Sequence, residues 1–323
     1  MTDYEAALRG AALFDMSSAA KLRLTGPDAA MFLGNLCTND IRNLLPGRGC
    51  PAFFCDARAK VQFQTWIFHI DPHHVEPPLA DDGFWIETTP GRNEALFKYL
   101  DRYLISERVE ITDVTTEYSQ FHLAGPKSKD VLEAAIGSKF DLPEYGIIGQ
   151  SVRRRDLLGV PGYDLVFPAA DAHATRQRLL TAGAVPASAE SFETLRIEAG
   201  LPLFGPDIDE NRFVMEVGGA AKAVSYTKGC YLGQEPIVMA RDRAGHVNRA
   251  FLSVKVLDGG SLPSGTKLLR DGQEVGVVTS SCHSPRLGVP IALAYLRFKH
   301  QDVGLRLETD SKQSVEVTNL PVS

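Results

Sequence analysis

No apolar run in the 323 residues approaches the roughly 18–20 that a membrane-crossing helix needs, so no membrane span is expected. Cysteine is scarce. The five, Cys37, Cys50, Cys55, Cys230 and Cys282, are odd in number and irregularly spaced, and no C-x-x-C pair occurs. That excludes a disulfide framework or a cysteine zinc site and reads as free thiols in a reducing cytoplasm. No histidine pair stands at metal-ligand spacing with a carboxylate, so no metal centre is expected; His73 and His74 read as surface residues of a proline-rich loop. Positive charge is not in excess. A net charge of −6 argues against a footprint for duplex nucleic acid. The opening "MTDYEAALRGAALFDMSS" has no basic stretch ahead of an apolar one, so no secretory signal is expected and the chain reads as cytoplasmic. Also missing are G-x-G-x-x-G, the P-loop and G-x-S-x-G, the marks of dinucleotide binding, nucleotide hydrolysis and a serine nucleophile elbow.

What is present is an ordinary soluble composition, 44% apolar and 23% charged, long enough for two or three domains. "LTGPDAAMFL" (24–33) and "LAGPKSKDVL" (123–132) share Leu, Gly, Pro and Leu at identical offsets, each after a strand-like run, "AKLRL" or "SQFHL". In each, Gly closes the strand and Pro is expected at the first helical position. Repeat units near 20–36 and 119–135 read as an old duplication. "CPAFFCD" and "VQFQTWIFHI" read as strands joined by a polar turn at 56–60, and "HIDPHHVEPPLADDGF" as an exposed loop. "RNEALFKYLDRYLI" predicts a helix with an apolar stripe of Ala95, Leu96, Tyr99, Leu100, Tyr103 and Leu104. "VRRRDLL" and "YDLVFP" predict strands. "ADAHATRQRLLTAG" and "SAESFETLRIEAG" predict helices, the latter with Phe192, Leu195 and Ala199 inward. Without regular βαβ alternation, residues 1–248 read as α+β. From residue 249 to 323 short strands alternate with turns such as Asp258-Gly259 and Asp271-Gly272, which predicts an all-β barrel or sandwich.

The chemistry-bearing candidates are few. "SYTKGCYLGQEPIV" (225–238) sets Cys230 in a glycine-rich loop beside Lys228, with Arg241, Arg243 and Arg249 following. Such surroundings can stabilise a thiolate, and the glycines let backbone N–H groups approach a ligand; a buried, inert cysteine is the plain alternative. Asp164, in "GVPGYDLVF", could accept paired hydrogen bonds from an amidine-like edge, or be a solvated turn acid. Arg196 and Glu198 sit near the end of a predicted helix, where Arg196 could clamp an anion or form a helix-end ion pair.

Together, "GAALFDMSSAAKLRLTGPDAAMFLGNLCTNDI", "GYDL", "LRIEAGLPLFGPDID", "QEVGVVTSSCHSP" and above all "KGCYLGQE" (228–235) resemble the folate-binding superfamily of the glycine-cleavage T-protein, an aminomethyltransferase. The signature resembles most the YgfZ-type branch. The resemblance implies two α+β subdomains and a C-terminal barrel around a central channel holding tetrahydrofolate or a one-carbon-substituted folate. It puts Asp164 at the pterin and Arg196 on the family's L-R-x-E-x-G arginine, and implies a folate-binding role for Lys228, Tyr231, Gln234 and Glu235. It departs from the family at "AKVQFQT", where Phe63 and Gln64 stand in place of the two carboxylates of a G-G-x-x-D-D hairpin. Neither can carry a proton at neutral pH. The resemblance therefore implies a monomeric folate-binding protein supporting iron–sulfur cluster assembly or repair in client proteins, with Cys230 as the working thiol. A folate-dependent transferase or demethylase using another acid such as Asp56, or a non-catalytic scaffold, stay open beside it.

Overall fold

The computed structural model describes residues 1–70, 83–149 and 151–322. The loop expected at 69–84 is confined by two strands that claim its ends, and residues 71–82, with His73 and His74, lie outside the described residues.

The chain forms two compact units, each made of separated segments. The first takes residues 1–55, 63–189 and 222–232; the second takes 56–62, 190–221 and 233–323. The break in texture at 249 marks where the barrel begins, while residues 190–221 pack into the same unit as the barrel.

The first unit holds two sheets. One runs in the order β11-β1-β7-β10-β9-β8, from β1 (Ala12–Asp15), β7 (Tyr118–Ala124), β8 (Ile147–Ile148), β9 (Val152–Arg154), β10 (Gly162–Pro168) and β11 (Val185–Pro186). The other runs β3-β4-β5-β2-β6, from β2 (Ala20–Thr25), β3 (Arg48–Cys55), β4 (Val61–Ile70), β5 (Gly83–Thr88) and β6 (Glu110–Asp113). Helices α1 (Asp3–Arg9), α2 (Ala29–Leu36), α3 (Asn93–Asp101), α4 (Ser128–Ile136) and α5 (Ala172–Thr181) accompany them. At α1, Thr2 and Glu5 close a reciprocal capping box, which satisfies N–H groups that a helix start leaves without partners.

The two sequence echoes adopt one geometry. Gly26 and Gly125 have φ of 118° and 131°, and the Ala29 and Ser128 amides each donate 3.0 Å to the carbonyl of their glycine. Both positions require glycine for a second reason. A β-carbon at Gly26 would sit 2.2 Å from the Arg108 carbonyl oxygen, and one at Gly125 2.4 Å from that of Gly10. The prolines fall in the turn rather than at the first helical position, since α2 and α4 begin two residues after them.

Helix α3 ends at Asp101, earlier than its apolar pattern suggests, and Ala95 faces solvent, so the inward stripe is carried by Leu96 and Leu100 with Tyr99 and Tyr103 beside them. Strand β10 is buried from Gly162 to Phe167 because both faces are covered there. Tyr163, Leu165 and Phe167 join the core over α4 and α5. Between them, Asp164 and Val166 face the opposite way, by the two-residue period of a strand.

In the second unit, six strands close a barrel in the order β12-β15-β14-β13-β16-β17: β12 (Arg249–Val256), β13 (Lys267–Arg270), β14 (Gln273–Ser284), β15 (Val289–Arg297), β16 (Arg306–Thr309) and β17 (Ser314–Thr318). Closure leaves no free edge. Helix α6 (Ala189–Ala199) buries Leu195 and Ile197 but also Arg196 and Glu198, whereas Phe192 and Ala199, expected inward, are only half-buried. Short helices α7 (Ala220–Ala223) and α8 (Gln234–Met239) complete the chain. Among the described residues no helix is long and apolar enough to cross a membrane.

Candidate functional site

Asp164 lies at the centre of a buried ionic network between the two sheets of the first unit. It pairs across the strands with His122 of β7 on one side and Arg153 of β9 on the other, so all three project from one face. Asp164 is fully buried. The Arg155 Nε donates to Oδ2, and His122 Nδ1 lies 3.0 Å from Oδ1. Burial alone would raise this carboxyl, but Arg155 and then His122 overcome it and hold it well below the ordinary carboxylate range. An ionised carboxylate only accepts, so His122 turns an N–H at Nδ1 toward it.

Glu87 of β5 answers from the facing sheet. It accepts from Arg153 Nη1, from Arg155 Nη1 at 3.0 Å, from Trp85 Nε1 at 3.2 Å and from Gln120 Nε2 at 3.2 Å. The Arg153 guanidinium lies 4.5 Å from the Phe68 ring centre and 4.9 Å from that of Trp85, and Arg155 lies 5.1 Å from Trp66. Burial pulls Arg153 down to about 10 against the opposing charge of Glu87, still protonated at neutral pH. Two polar atoms, Gln120 Oε1 and His122 Nε2, are buried with no hydrogen-bond partner among the described residues. Sequence reasoning singled out Asp164 alone. Glu87, Gln120, His122, Arg153 and Arg155 were missed, although Arg153-Arg154-Arg155 on a predicted strand puts two guanidiniums on one buried face and so demands carboxylates.

Arg196 does not sit at a free helix end. It is fully buried in the second unit, donating to Asp207 Oδ2 at 2.7 Å, Ser280 Oγ at 2.7 Å, the Leu201 carbonyl at 3.1 Å and Glu193. Its donors are spent inside that unit, as an ion pair of the plainer kind. Glu198 accepts from Ser284 Oγ and lies 3.8 Å from Arg286.

The 225–238 stretch divides. Lys228 donates all three ammonium hydrogens, at 2.7 Å each, to the carbonyls of Gly34, Cys37 and Asn39, closing the end of α2, and lies 4.7 Å from the centre of the buried Tyr231 ring. The Leu232 amide donates to the Asn35 carbonyl, and Cys55 Sγ donates 3.1 Å to that of Leu232. Gly233, at φ 80°, precedes α8, where Gln234 and Glu235 line an open groove of about 470 Å³ with Met239, Asp242 and Arg243. Within the first unit, neither Lys228 nor Cys230 shares a hydrogen bond or ion pair with Asp164.

Two family models match most of this chain, leaving residues 229–248 between them. The GCVT N-terminal domain covers residues 1–228, and the glycine cleavage T-protein C-terminal barrel domain covers 249–322. The chain belongs to the glycine cleavage T-protein family. Among similar T-protein relatives, the aminomethyltransferase of Geobacillus kaustophilus is 27% identical over 95% of this chain and 85% of its own length. That of Desulforamulus reducens is 25% identical over 95% and 84%. The crystal structure of the glycine cleavage system aminomethyltransferase T from Bartonella henselae superposes with a TM-score of 0.88, at 22% identity, over 99% of this chain and 88% of that one. The likeness shows a shared α+β T-protein fold with its barrel.

In this T-protein relative, the positions where the resemblance puts the hairpin carboxylates are sealed. Phe63 is buried, its ring centre 5.4 Å from that of Tyr99 and 4.8 Å from the Arg92 guanidinium, and Gln64 is buried beside it. Asp56 is spent on its turn, Oδ1 accepting from the Arg58 and Lys60 amides at 2.9 and 2.8 Å. Cys230 is the one exposed thiol of the five. Burial pushes Cys37 and Cys50 up, and Cys282 up to about 12. An aromatic disulfide reagent should therefore titrate one fast thiol in the native protein, and Cys230→Ser should remove that phase; a fast phase surviving the substitution would contradict the exposure order.

Proposed function

We propose that this chain binds tetrahydrofolate and has lost the aminomethyl transfer of the glycine cleavage reaction, acting instead as a YgfZ-type protein. The observation that carries this reading is the aromatic packing of Phe63 where the transferases' hairpin would bring a carboxylate. A buried phenyl ring offers no base and no charge to offset a developing iminium. Folate binding is supported by family membership and by the acceptors of the buried network. The donor edge of a pterin calls for acceptors; Gln120 Oε1 has no partner among the described residues, while the Asp164 oxygens already face Arg155 and His122 and would meet a pterin only by exchanging them. The exposed Cys230 in a complete KGCYLGQE signature supports a thiol function, with iron–sulfur assembly or repair in client proteins as its setting.

The relatives named above favour a second reading, folate-dependent aminomethyl transfer, because they carry that activity in their names over nearly the whole chain. One preparation separates the two. Calorimetry should show tetrahydrofolate binding, and incubation with an aminomethylated lipoyl carrier should yield no methylene-tetrahydrofolate above the uncatalysed rate. Turnover would establish the second reading, and absence of binding up to millimolar folate would sink both. The thiol role stands apart: Cys230→Ala restoring iron–sulfur enzyme activity in a deletion strain as well as wild type does would remove it.

A further inference from the structure

The second unit contains a cavity of about 260 Å³ whose lining does not balance its own charge. Arg212, Arg249 and Arg297 line it, and among the described residues none of the three forms an ion pair. Arg249 and Arg297 are direct cross-strand partners on β12 and β15, where like charges repel. Two acids also line the cavity, so its lining sets three cations against two anions. Glu274 pairs with Lys267 at 3.1 Å, and Asp209 Oδ1 accepts from the Asn211 amide at 2.8 Å.

The floor supplies a second, independent sign. Tyr295 is 0% exposed, lines the same cavity, and its hydroxyl has no hydrogen-bond partner among the described residues. An orphaned buried hydroxyl is costly unless something occupies the position it faces. The Arg212 guanidinium lies 3.8 Å from the Tyr295 ring centre and its own buried Nε is likewise unbonded. Arg212 is held there by its chain: the Val61 amide donates 2.9 Å to its carbonyl, and Lys60 Nζ donates 2.8 Å to the Asn211 carbonyl.

We propose that this cavity is an oxyanion site that takes the phosphate of a small phosphomonoester. Three guanidiniums and a phenol outnumber the two carboxylates of the lining and make a donor-rich cradle for a tetrahedral dianion. The volume lies below the range of drug-sized ligands, which fits one phosphate with a short stem. A neighbouring cavity of about 400 Å³ shares Arg249 and Arg297 and is walled by Lys60, Glu216, Asn248 and Phe298, with the Phe298 ring stacked on His246 at 4.0 Å. The organic part of the ester would lie there, against the Phe298 ring. The site does not depend on folate binding.

The test uses the full chain at constant ionic strength in chloride, titrated with inorganic phosphate and separately with phenyl phosphate, followed by phosphorus NMR and thermal melting. Saturable binding is expected, weakened about ten-fold or more by Arg297→Gln and again by Tyr295→Phe. Tyr295→Phe removes an unsatisfied hydroxyl, so it should leave unliganded stability unchanged or raised while losing the phosphate-induced shift. That combination separates a binding role from a structural one. Tighter binding of phenyl phosphate than of phosphate identifies an ester as the ligand; the reverse order overturns the ester and leaves free oxyanion. No saturable binding by wild type, or equal binding by both variants, overturns the site.

Discussion

Asp164→Ala should destabilise the protein by about 3–5 kcal/mol, because removing one partner from a buried ionic network leaves the others' charge uncompensated. Arg155 and His122 both turn to this carboxylate at a position with no access to water. The chevron or equilibrium urea midpoint at neutral pH reads the effect, and Asp164→Asn should recover only part of it, since an amide keeps the shape but not the charge. A loss below about 1 kcal/mol, the range of exposed pairs, would mean that water reaches the network after all. The pH dependence has a definite sign. The folded carboxyl lies below its unfolded value, near ~3.9, so its contribution is fully present above that value and is lost as pH falls toward the folded one. Wild type should therefore lose stability in acid more steeply than the alanine variant, and the two urea midpoints should converge at low pH.

Lys228→Met should cost on the order of 3 kcal/mol, with the loss concentrated at residues 222–232 and the end of α2. Its ammonium satisfies three carbonyls at once, and methionine offers a stem of similar length with no donor. Hydrogen exchange should quicken at the Ser225 and Leu232 amides, which bond to Thr38 and Asn35 across the same seam. The competing view, in which Lys228 serves the thiol, predicts a different outcome. Alkylation of Cys230 would slow several-fold while the urea midpoint stayed where it was. The two measurements on one variant decide between a clamp and an activator.

Much of the fold was legible because it rests on short-range pattern. Alternation from Phe251 onward gave the barrel strands, and the Leu-Gly-Pro echo marked two turns whose glycines admit no side chain. Helix α6 was placed but its faces were not: a pattern that counts only apolar residues cannot see that Arg196 and Glu198 are buried, because their partners, Asp207 and Ser284, lie 11 and 86 residues away in sequence. The same limit hid Glu87, whose partners come from β7, from β9 and from Arg155 just beyond it. Asp164 was found through its motif, and the local sequence gave no hint that Arg155 and His122 already hold it. Lys228 was read as part of a ligand loop because three backbone carbonyls leave no trace in side-chain spacing.

The division of the chain also carries a consequence for synthesis. A ribosome releases residues 1–189 first, yet the first unit is incomplete until residues 222–232 emerge, after the chain has left for residues 190–221 to continue the second. Until then the end of α2 waits with its carbonyls uncovered, and the nascent chain holds two partly built bodies at once. Residues 228–232 of the glycine-rich signature are thus also part of the last piece of the first unit to be made. A truncation before it yields an unfinished body, however complete its two sheets look.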